Sequence, residues 1–134
     1  MKGGAIATPI THPAVHTFDA PYSGALRIGQ LFFVSGTVAV DADGNLVGPG
    51  DLAAQTRQVL LNIRRLLEAA GAGFQHVAQL TYYLADISRW AEVSAVRREF
   101  LSEPYPASTA VEVSRLVSTD WLIEIEAIAV LPEA

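Results

Sequence analysis

Two carboxylates near the C-terminal end of the chain are the residues best placed to do chemistry. Glu124 and Glu126 lie in residues 121–130, whose residue types alternate with a period of two, as in a β-strand. Both side chains therefore project from one face, together with apolar Leu122 and Ile128. Burial raises the pKa of a carboxyl group, so such a residue can act as a general base or acid toward water. A solvent-exposed acidic pair, or a pair facing an arginine, would give the same pattern.

Three further residues could line a site with these carboxylates. Tyr22 places a phenol before the first predicted strand, although a turn aromatic equally suits packing. Ser35 and Gly36 interrupt an apolar strand, and a glycine there typically marks a bulge or the close approach of a ligand. No histidine is placed by sequence to activate Ser35 as a nucleophile. The three histidines lack the spacing of a metal site and lie in loops or near a chain end. They are His12, His16 and His76.

Length, cysteine content and charge exclude several classes of protein. A length of 134 residues predicts one domain over residues 1–134. The absence of cysteine excludes disulfides and thiol chemistry, and no nucleotide-binding motif occurs, so we expect no metal and no cofactor. A net charge of -5 argues against nucleic acid as a partner. No secretory or membrane-spanning segment is found, which predicts a cytoplasmic protein without membrane contact.

The elements that would position these residues follow the order β-β-β-α-β-α-β-β. Each helix lies between strands that can pair in parallel through a right-handed crossover, and turns such as Asp43-Gly44 join antiparallel neighbours. This order predicts an α+β two-layer fold, a mixed sheet with both helices on one face. The predicted strands are residues 25–28, 31–40, 45–47, 77–85, 109–114 and 121–130, after an extended segment or short edge strand within residues 1–20. The last two are expected to be joined by a short turn.

The helices and the free face of the sheet complete this prediction. Asp51 can cap a helix that runs to about Ala70, where Gly71 stops it. A second helix starts at Asp86 or Ser88 and runs to about Leu101. The other face of the sheet is uncovered, and 51% hydrophobic against 17% charged residues is apolar for a chain of this size. We therefore expect that face to pack against another copy of the chain.

Several segments, taken together in order and spacing over most of the chain, resemble the Rid family of reactive intermediate deaminases, also called the YjgF family. They are APYS at residues 20–23, FVSG at 33–36, QTRQVLLNI at 55–63, LEAAG at 67–71, PAST at 106–109 and IEIEAIA at 123–129. The resemblance implies a chorismate-mutase-like fold and a homotrimer with clefts between neighbouring subunits. It further implies hydrolysis of short-lived imines and enamines to keto acids and ammonia, without metal or cofactor.

The resemblance also implies roles for individual residues. Glu124 matches the acid that positions the attacking water, while Tyr22, the Ser35-Gly36 backbone and Thr109 match residues that line the cleft, where we also place Glu126. Ser108 stands where the family's motif has an arginine that binds the substrate carboxylate. Arg97 stands where an aromatic residue is usual. It could supply the missing positive charge, but we expect it to face solvent from its helix. On this reading Ser108→Arg should restore deamination of small amino-acid-derived imines.

Three functions remain open at this point. The first is an imine or enamine hydrolase that uses Glu124 on substrates other than the small ones held by the family's arginine. The second is a small-molecule-binding or regulatory trimer without turnover, which the missing arginine equally suggests. RNA cleavage, an activity associated with this family, fits poorly with an acidic chain that lacks a histidine pair.

Overall fold

The computed structural model describes residues 6–133, which form one mixed β-sheet with two α-helices on one face. The elements are β1 Ala7–Pro9, β2 Ala25–Ile28, β3 Leu31–Thr37, α1 Leu52–Ala69, β4 Val77–Leu84, α2 Trp90–Arg97, β5 Ala107–Glu112 and β6 Ile123–Val130. The strands lie in the order β1-β2-β3-β6-β4-β5. β4 and β5 pair in parallel, and the other neighbours are antiparallel. The predicted two-layer α+β fold is confirmed.

The predicted pairing of the last two strands is wrong. β4 lies between β5 and β6, and residues 113–122 carry the chain across β4 instead of making a short turn. The sequence could not reveal this, since both strands alternate with the same period and either arrangement satisfies that pattern. As a consequence, Glu124 and Glu126 on β6 lie at the centre of the sheet, and Ser108 and Thr109 on β5 lie at its edge.

Other boundaries differ in ways that matter for the site. β3 ends at Thr37, and the strand predicted at residues 45–47 is reduced to one bridge between Val40 and Leu46. α2 ends at Arg97 rather than near Leu101, and a short 3-10 turn, Ile87–Arg89, precedes it. The edge strand expected near the N-terminus is present as β1. Within residues 6–133, no helix has both the length and the apolar character needed to cross a membrane.

Helix α1 covers the centre of the sheet. The Asp51 carboxylate caps it by accepting a hydrogen bond from the Ala54 amide at 3.0 Å, and Gly71, with φ of 75°, follows its end, both as predicted. The apolar residues of its inner face are almost completely buried against β3 and β6. They are Val59, Leu60, Ile63, Leu66 and Leu67. Because this face of β3 and β6 packs against α1, Glu124 and Glu126 project from the opposite face of the sheet.

Two buried amide side chains tie α1 to the segments that lead into and out of the central strands. Gln55 accepts a hydrogen bond from the Leu122 amide at 2.8 Å and donates one to the Asp120 carbonyl at 3.0 Å. Asn62 donates to the Val40 carbonyl at 3.0 Å. Since buried polar groups cost free energy unless they are paired, these bonds specify where β6 begins and where the chain leaves β3.

The sheet face that points away from the helices carries large apolar side chains in contact with solvent. Leu31 lies opposite Val130, and Phe33 lies opposite Ile128, so these four residues form one patch on β3 and β6. They are 37–48% exposed. An apolar patch of this kind on a small protein typically marks an interaction surface.

Candidate active site

The carboxylate of Glu124 lies directly over Gly36. The step from Val34 to Thr37 on β3 faces the shorter step from Ala127 to Ile125 on β6, so β3 carries one extra residue, a β-bulge at Ser35-Gly36. A methyl group built on Gly36 would overlap Oε2 of Glu124 and lie 2.7 Å from its Cδ. The glycine predicted to permit a close approach therefore admits a side chain from the neighbouring strand.

Glu124 is only partly buried, yet its surroundings favour the protonated form. Burial raises the pKa of this carboxyl group, and the nearby charge of Glu126 raises it further. Burial raises the pKa of the Tyr22 phenol, and the nearby charge of Glu124 raises it further. The prediction that Glu124 has a desolvated environment agrees with these shifts, and Tyr22 stays neutral beside it.

Ser35 holds the loop that carries Tyr22. Its hydroxyl donates a hydrogen bond to the Ser23 carbonyl at 2.6 Å, and its own carbonyl accepts one from the Thr37 hydroxyl at 2.8 Å. With its proton engaged in this way, the Ser35 hydroxyl positions Tyr22 next to the bulge. Among residues 6–133, the Ser35 hydroxyl donates to a backbone carbonyl and not to a side chain that could act as its base, in line with the sequence prediction.

Glu126 has a partner that the sequence did not identify. The Tyr83 hydroxyl donates a short hydrogen bond to the Glu126 carboxylate, and this bond is the main reason that the pKa of Tyr83 is raised. Tyr83 lies on β4 directly opposite Glu124. Alternation along β4 places Tyr83 on the open face, but only the pairing of β4 with β6 brings the two residues together. We call Tyr22, Ser35, Gly36, Glu124 and Glu126 the acidic half-site.

A second group of residues lies at the β5 edge of the sheet. Ser108 on β5 pairs with Leu80 and faces the helices, where a cavity of about 260 Å³ opens between α2 and β5. Nη1 of Arg97 donates a hydrogen bond to Oγ of Ser108 at 3.1 Å. The expectation that Arg97 faces solvent is therefore wrong, because its partly buried side chain turns toward β5. We call Arg97, Ser108, Tyr82 and the cavity they line the basic half-site.

Within one chain the structure does not bring the two half-sites together. Ser108 faces the helices, while Glu124 projects from the opposite face of the sheet. Thr109 does share the face of Glu126, but Thr81 lies between them in register, a separation of about 10 Å at the usual strand spacing. Of the predicted residues, five thus lie in the acidic half-site, Ser108 lies in the basic half-site, and Thr109 lies in neither.

The residues that sequence reasoning missed or misassigned are Tyr83, Tyr82 and Arg97. Arg97 carried a usable signal, since its spacing from Trp90 and Val93 placed it on the inner side of α2. The two tyrosines carried none beyond their strand alternation. Among residues 6–133, no three histidine or acidic side chains are close enough to hold a metal ion.

Comparison with known proteins gives a consistent result. The family described as Endoribonuclease L-PSP matches residues 14–131. A RutC family protein of Pyrococcus horikoshii is 46% identical over 109 residues, 81% of this chain and 86% of the relative. A Bos taurus protein named 2-iminobutanoate/2-iminopropanoate deaminase is 39% identical over 111 residues, 82% of this chain and 80% of the relative. The crystal structure of the Escherichia coli YjgF gene product superposes with a TM-score of 0.84 at 35% identity, covering 92% of this chain and 98% of that one.

Proposed function

Because the chain belongs to the Rid family, also described as the Endoribonuclease L-PSP family, we propose that it hydrolyses an imine or enamine at a cleft between two of its copies. The observation that carries this proposal is the Glu124 carboxylate, held over Gly36 beside Tyr22 with a raised pKa. The Bos taurus relative is named a deaminase of 2-imino acids, which supports the reaction class.

Glu124 would act on water. Its carboxylate removes a proton as the water oxygen adds to the imine carbon, and it then returns that proton to the nitrogen. In the resulting carbinolamine intermediate, the hydroxyl proton then passes through the same carboxylate to nitrogen as the carbon–nitrogen bond breaks, which gives a carbonyl compound and ammonia. A pKa raised by burial makes the carboxylate a stronger base than an exposed glutamate, and the acidic half-site supplies no competing cation. An enamine reaches the same intermediate after protonation at carbon.

A second copy of the chain would complete the site. The exposed apolar patch on β3 and β6 borders the acidic half-site, since Phe33 and Ile128 lie on the same strands as Gly36 and Glu126. Packing of copies through this face would cover the patch and bring the basic half-site of one copy toward the acidic half-site of the next. We propose a homotrimer for this assembly, as the resemblance implies.

The substrate of this site would differ from those held by an arginine on β5. Ser108 offers one neutral hydroxyl where an arginine would make two charge-assisted bonds, and each such bond is worth about 1.5–3 kcal/mol. Small imines that depend on that arginine should therefore bind weakly here. Ser108 also leaves open the cavity that a longer side chain would enter, so the site admits a larger substrate.

The test is turnover by the wild-type protein and by Glu124→Gln. Imines generated from a series of amino acids are mixed with each protein, and the released ammonia and carbonyl compound are measured. We expect the wild type to hydrolyse at least one of them and Glu124→Gln to be slower by about a hundredfold or more, the usual contribution of a general base. Equal rates would remove Glu124 from the reaction. Binding without turnover by the wild type would favour the non-catalytic binding or regulatory alternative.

A further inference from the structure

Helix α2 places the Arg97 guanidinium next to Ser108, the residue of β5 that stands where the family's motif has an arginine. Arg97 contacts the hydroxyl of Ser108, and no carboxylate within residues 6–133 forms an ion pair with it. The ion pairs formed by other arginines of the described chain, Arg57 with Glu99 and Arg89 with Glu92, show the ordinary surface arrangement. Arg97 thus holds a positive charge at the mouth of a cavity without an acidic partner.

Aromatic rings hold the Arg97 guanidinium in place. Its central carbon lies 4.7 Å from the centroid of the Trp90 ring and 5.4 Å from that of Tyr82. The two rings meet edge to face, with centroids 5.2 Å apart. Stacking against aromatic faces restricts the side chain and shields it from water, while its N–H donors remain directed along the guanidinium plane. One of its five donors is used by Ser108, and the guanidinium also lies close enough to the Tyr82 hydroxyl to offset part of the rise that burial causes in the pKa of that phenol.

A buried hydroxyl in the same half-site also lacks an acceptor. The Tyr82 side chain is fully buried and lines the cavity. Burial raises the pKa of its phenol and the neighbouring Arg97 guanidinium partly offsets that rise, but no described residue accepts the hydroxyl proton. Buried tyrosine hydroxyls normally find a partner because an unpaired polar group costs free energy. A donor of this kind beside an unpaired cation points to an anion as the missing partner, since an anion accepts from both.

A second arginine, Arg98, also lines the cavity, and the remaining walls are apolar. They include Leu80, Leu101, Tyr105 and Pro106, and the volume is about 260 Å³. A small inorganic anion would leave most of this wall in contact with water. A carboxylate that carries an apolar chain would instead place its charge at Arg97 and bury its chain against these residues.

We propose that Arg97, supplied by α2 rather than by β5, is the residue that binds the carboxylate of this protein's ligand, and that the apolar cavity behind it selects ligands with a hydrocarbon chain. Ser108 and the Tyr82 hydroxyl complete the set of donors. The inference rests on the proposed function for its location in the active cleft. It deepens that function by naming the recognition residue and the class of substrate, an imine whose carboxylate is borne by a larger apolar body.

Binding of unreactive carboxylates to the full-length protein tests this inference without any turnover. Acetate, butanoate and hexanoate are titrated by calorimetry, with hexanamide as a neutral analogue of the same shape. We expect affinity to rise with chain length, and hexanoate to bind about tenfold or more tightly than hexanamide because of its charge-assisted bonds to Arg97. Equal affinity for hexanoate and hexanamide, or no binding of hexanoate, would overturn the inference.

Variants locate the binding residue. Arg97→Gln should weaken hexanoate binding about tenfold or more and leave hexanamide unchanged, and Arg97→Lys should retain part of the affinity because it keeps the charge but not the fork. Arg65→Gln removes the same charge from α1, away from the cavity, and serves as the matched control. Hexanoate binding by Arg97→Gln equal to that of the wild type would contradict the assignment. Should that variant fail to fold, Arg97→Lys and the wild-type comparison of hexanoate with hexanamide still decide it.

Two readouts separate this inference from the proposed function. Glu124→Gln should bind hexanoate like the wild type while losing turnover, because Glu124 takes no part in holding the carboxylate. In a Trp121→Phe background, Trp90 is the remaining tryptophan and its fluorescence should change on hexanoate binding. Binding through Arg97 without turnover would leave the inference standing and end the hydrolase proposal. Turnover that is unchanged in Arg97→Gln would support the hydrolase proposal and contradict the assignment of Arg97.

Discussion

The acidic and basic half-sites hold their charges by different means. In the acidic half-site, a carboxylate from a central strand lies over a glycine at a bulge in the neighbouring strand. In the basic half-site, an arginine from the end of a short helix lies over the faces of two aromatic rings and reaches an edge strand. The first charge is placed by backbone geometry, and the second is placed by side-chain stacking.

This difference predicts how each half-site tolerates change. The Glu124 side chain fills the space next to Gly36, so the acidic half-site should respond sharply to small substitutions there. An arginine held by side-chain stacking can come from a different helix or strand, provided that its guanidinium reaches the same position in the cavity. We therefore expect the reaction chemistry to depend on the acidic half-site, and the choice of substrate on the basic one.

The largest effect is expected from Gly36→Ala. The added methyl group must displace the end of the Glu124 side chain, which is flexible and can move without unfolding the chain. A misplaced catalytic group commonly costs about a hundredfold, so kcat/KM for imine hydrolysis should fall by roughly that factor. Gly24→Ala is the control, since its methyl group would meet no atom within 4 Å. Wild-type activity in Gly36→Ala would mean that the position of the carboxylate is not critical.

A smaller effect should follow when the cation is moved from α2 to β5. Ser108→Arg alone places a second guanidinium next to Arg97, and the like charges should oppose each other. We therefore expect the double variant Ser108→Arg, Arg97→Tyr to hydrolyse 2-iminopropanoate about tenfold better than Ser108→Arg alone, by kcat/KM. A single variant as active as the double one would show that Arg97 does not interfere at residue 108.

The pH dependence of hydrolysis should shift when the acidic pair is broken. The charge of Glu126 contributes to raising the pKa of Glu124, so Glu126→Gln should lower that pKa. A general base acts when deprotonated, and the acid limb of the kcat/KM profile should consequently move to lower pH in this variant. Glu126→Gln keeps an oxygen that can accept the Tyr83 hydrogen bond, and Tyr83→Phe tests the loss of that bond separately. An acid limb that stays in place would show that the two carboxyl groups are not coupled.

The smallest effect concerns stability. Because the pKa of Glu124 is raised in the folded chain, the folded state holds this proton to higher pH than the unfolded state does. Its contribution to the free energy of unfolding is thus present below the unfolded pKa and is lost as pH rises through the folded value. Glu124→Gln should therefore melt at a temperature a few degrees higher than the wild type at neutral pH, roughly the effect of 1 kcal/mol or less given the partial exposure of the group.

The control for this comparison is acidic solution. As the pH falls below 4.5, the ordinary pKa of a glutamate, the wild-type carboxyl becomes protonated in both states and the two melting temperatures should converge. Thermal melts followed by circular dichroism from pH 4 to pH 8 measure the difference between the two melting temperatures at each pH. A gap that does not change with pH would trace the stability difference to packing rather than to ionisation.

Local pattern predicted much of this protein. Alternation placed Glu124 and Glu126 on one strand face, Asp51 and Gly71 delimited α1, and the glycine in an apolar run predicted the bulge at Gly36. These features depend on neighbours within a few positions, which a period or a cap can specify. The family followed from the order of short motifs, and the sequence comparisons confirm it.

Only the tertiary structure decided which of these residues meet. β4 enters between β5 and β6, so it separates Thr109 from Glu126 and brings Tyr83 to the carboxylates. Likewise, Arg97 turns toward Ser108 because Trp90 and Tyr82 offer their ring faces there. Its spacing along α2 indicated the inner side of the helix but not which residues it would meet. Strand order and side-chain stacking depend on contacts between distant positions, and a local pattern is the same whichever partner the fold provides.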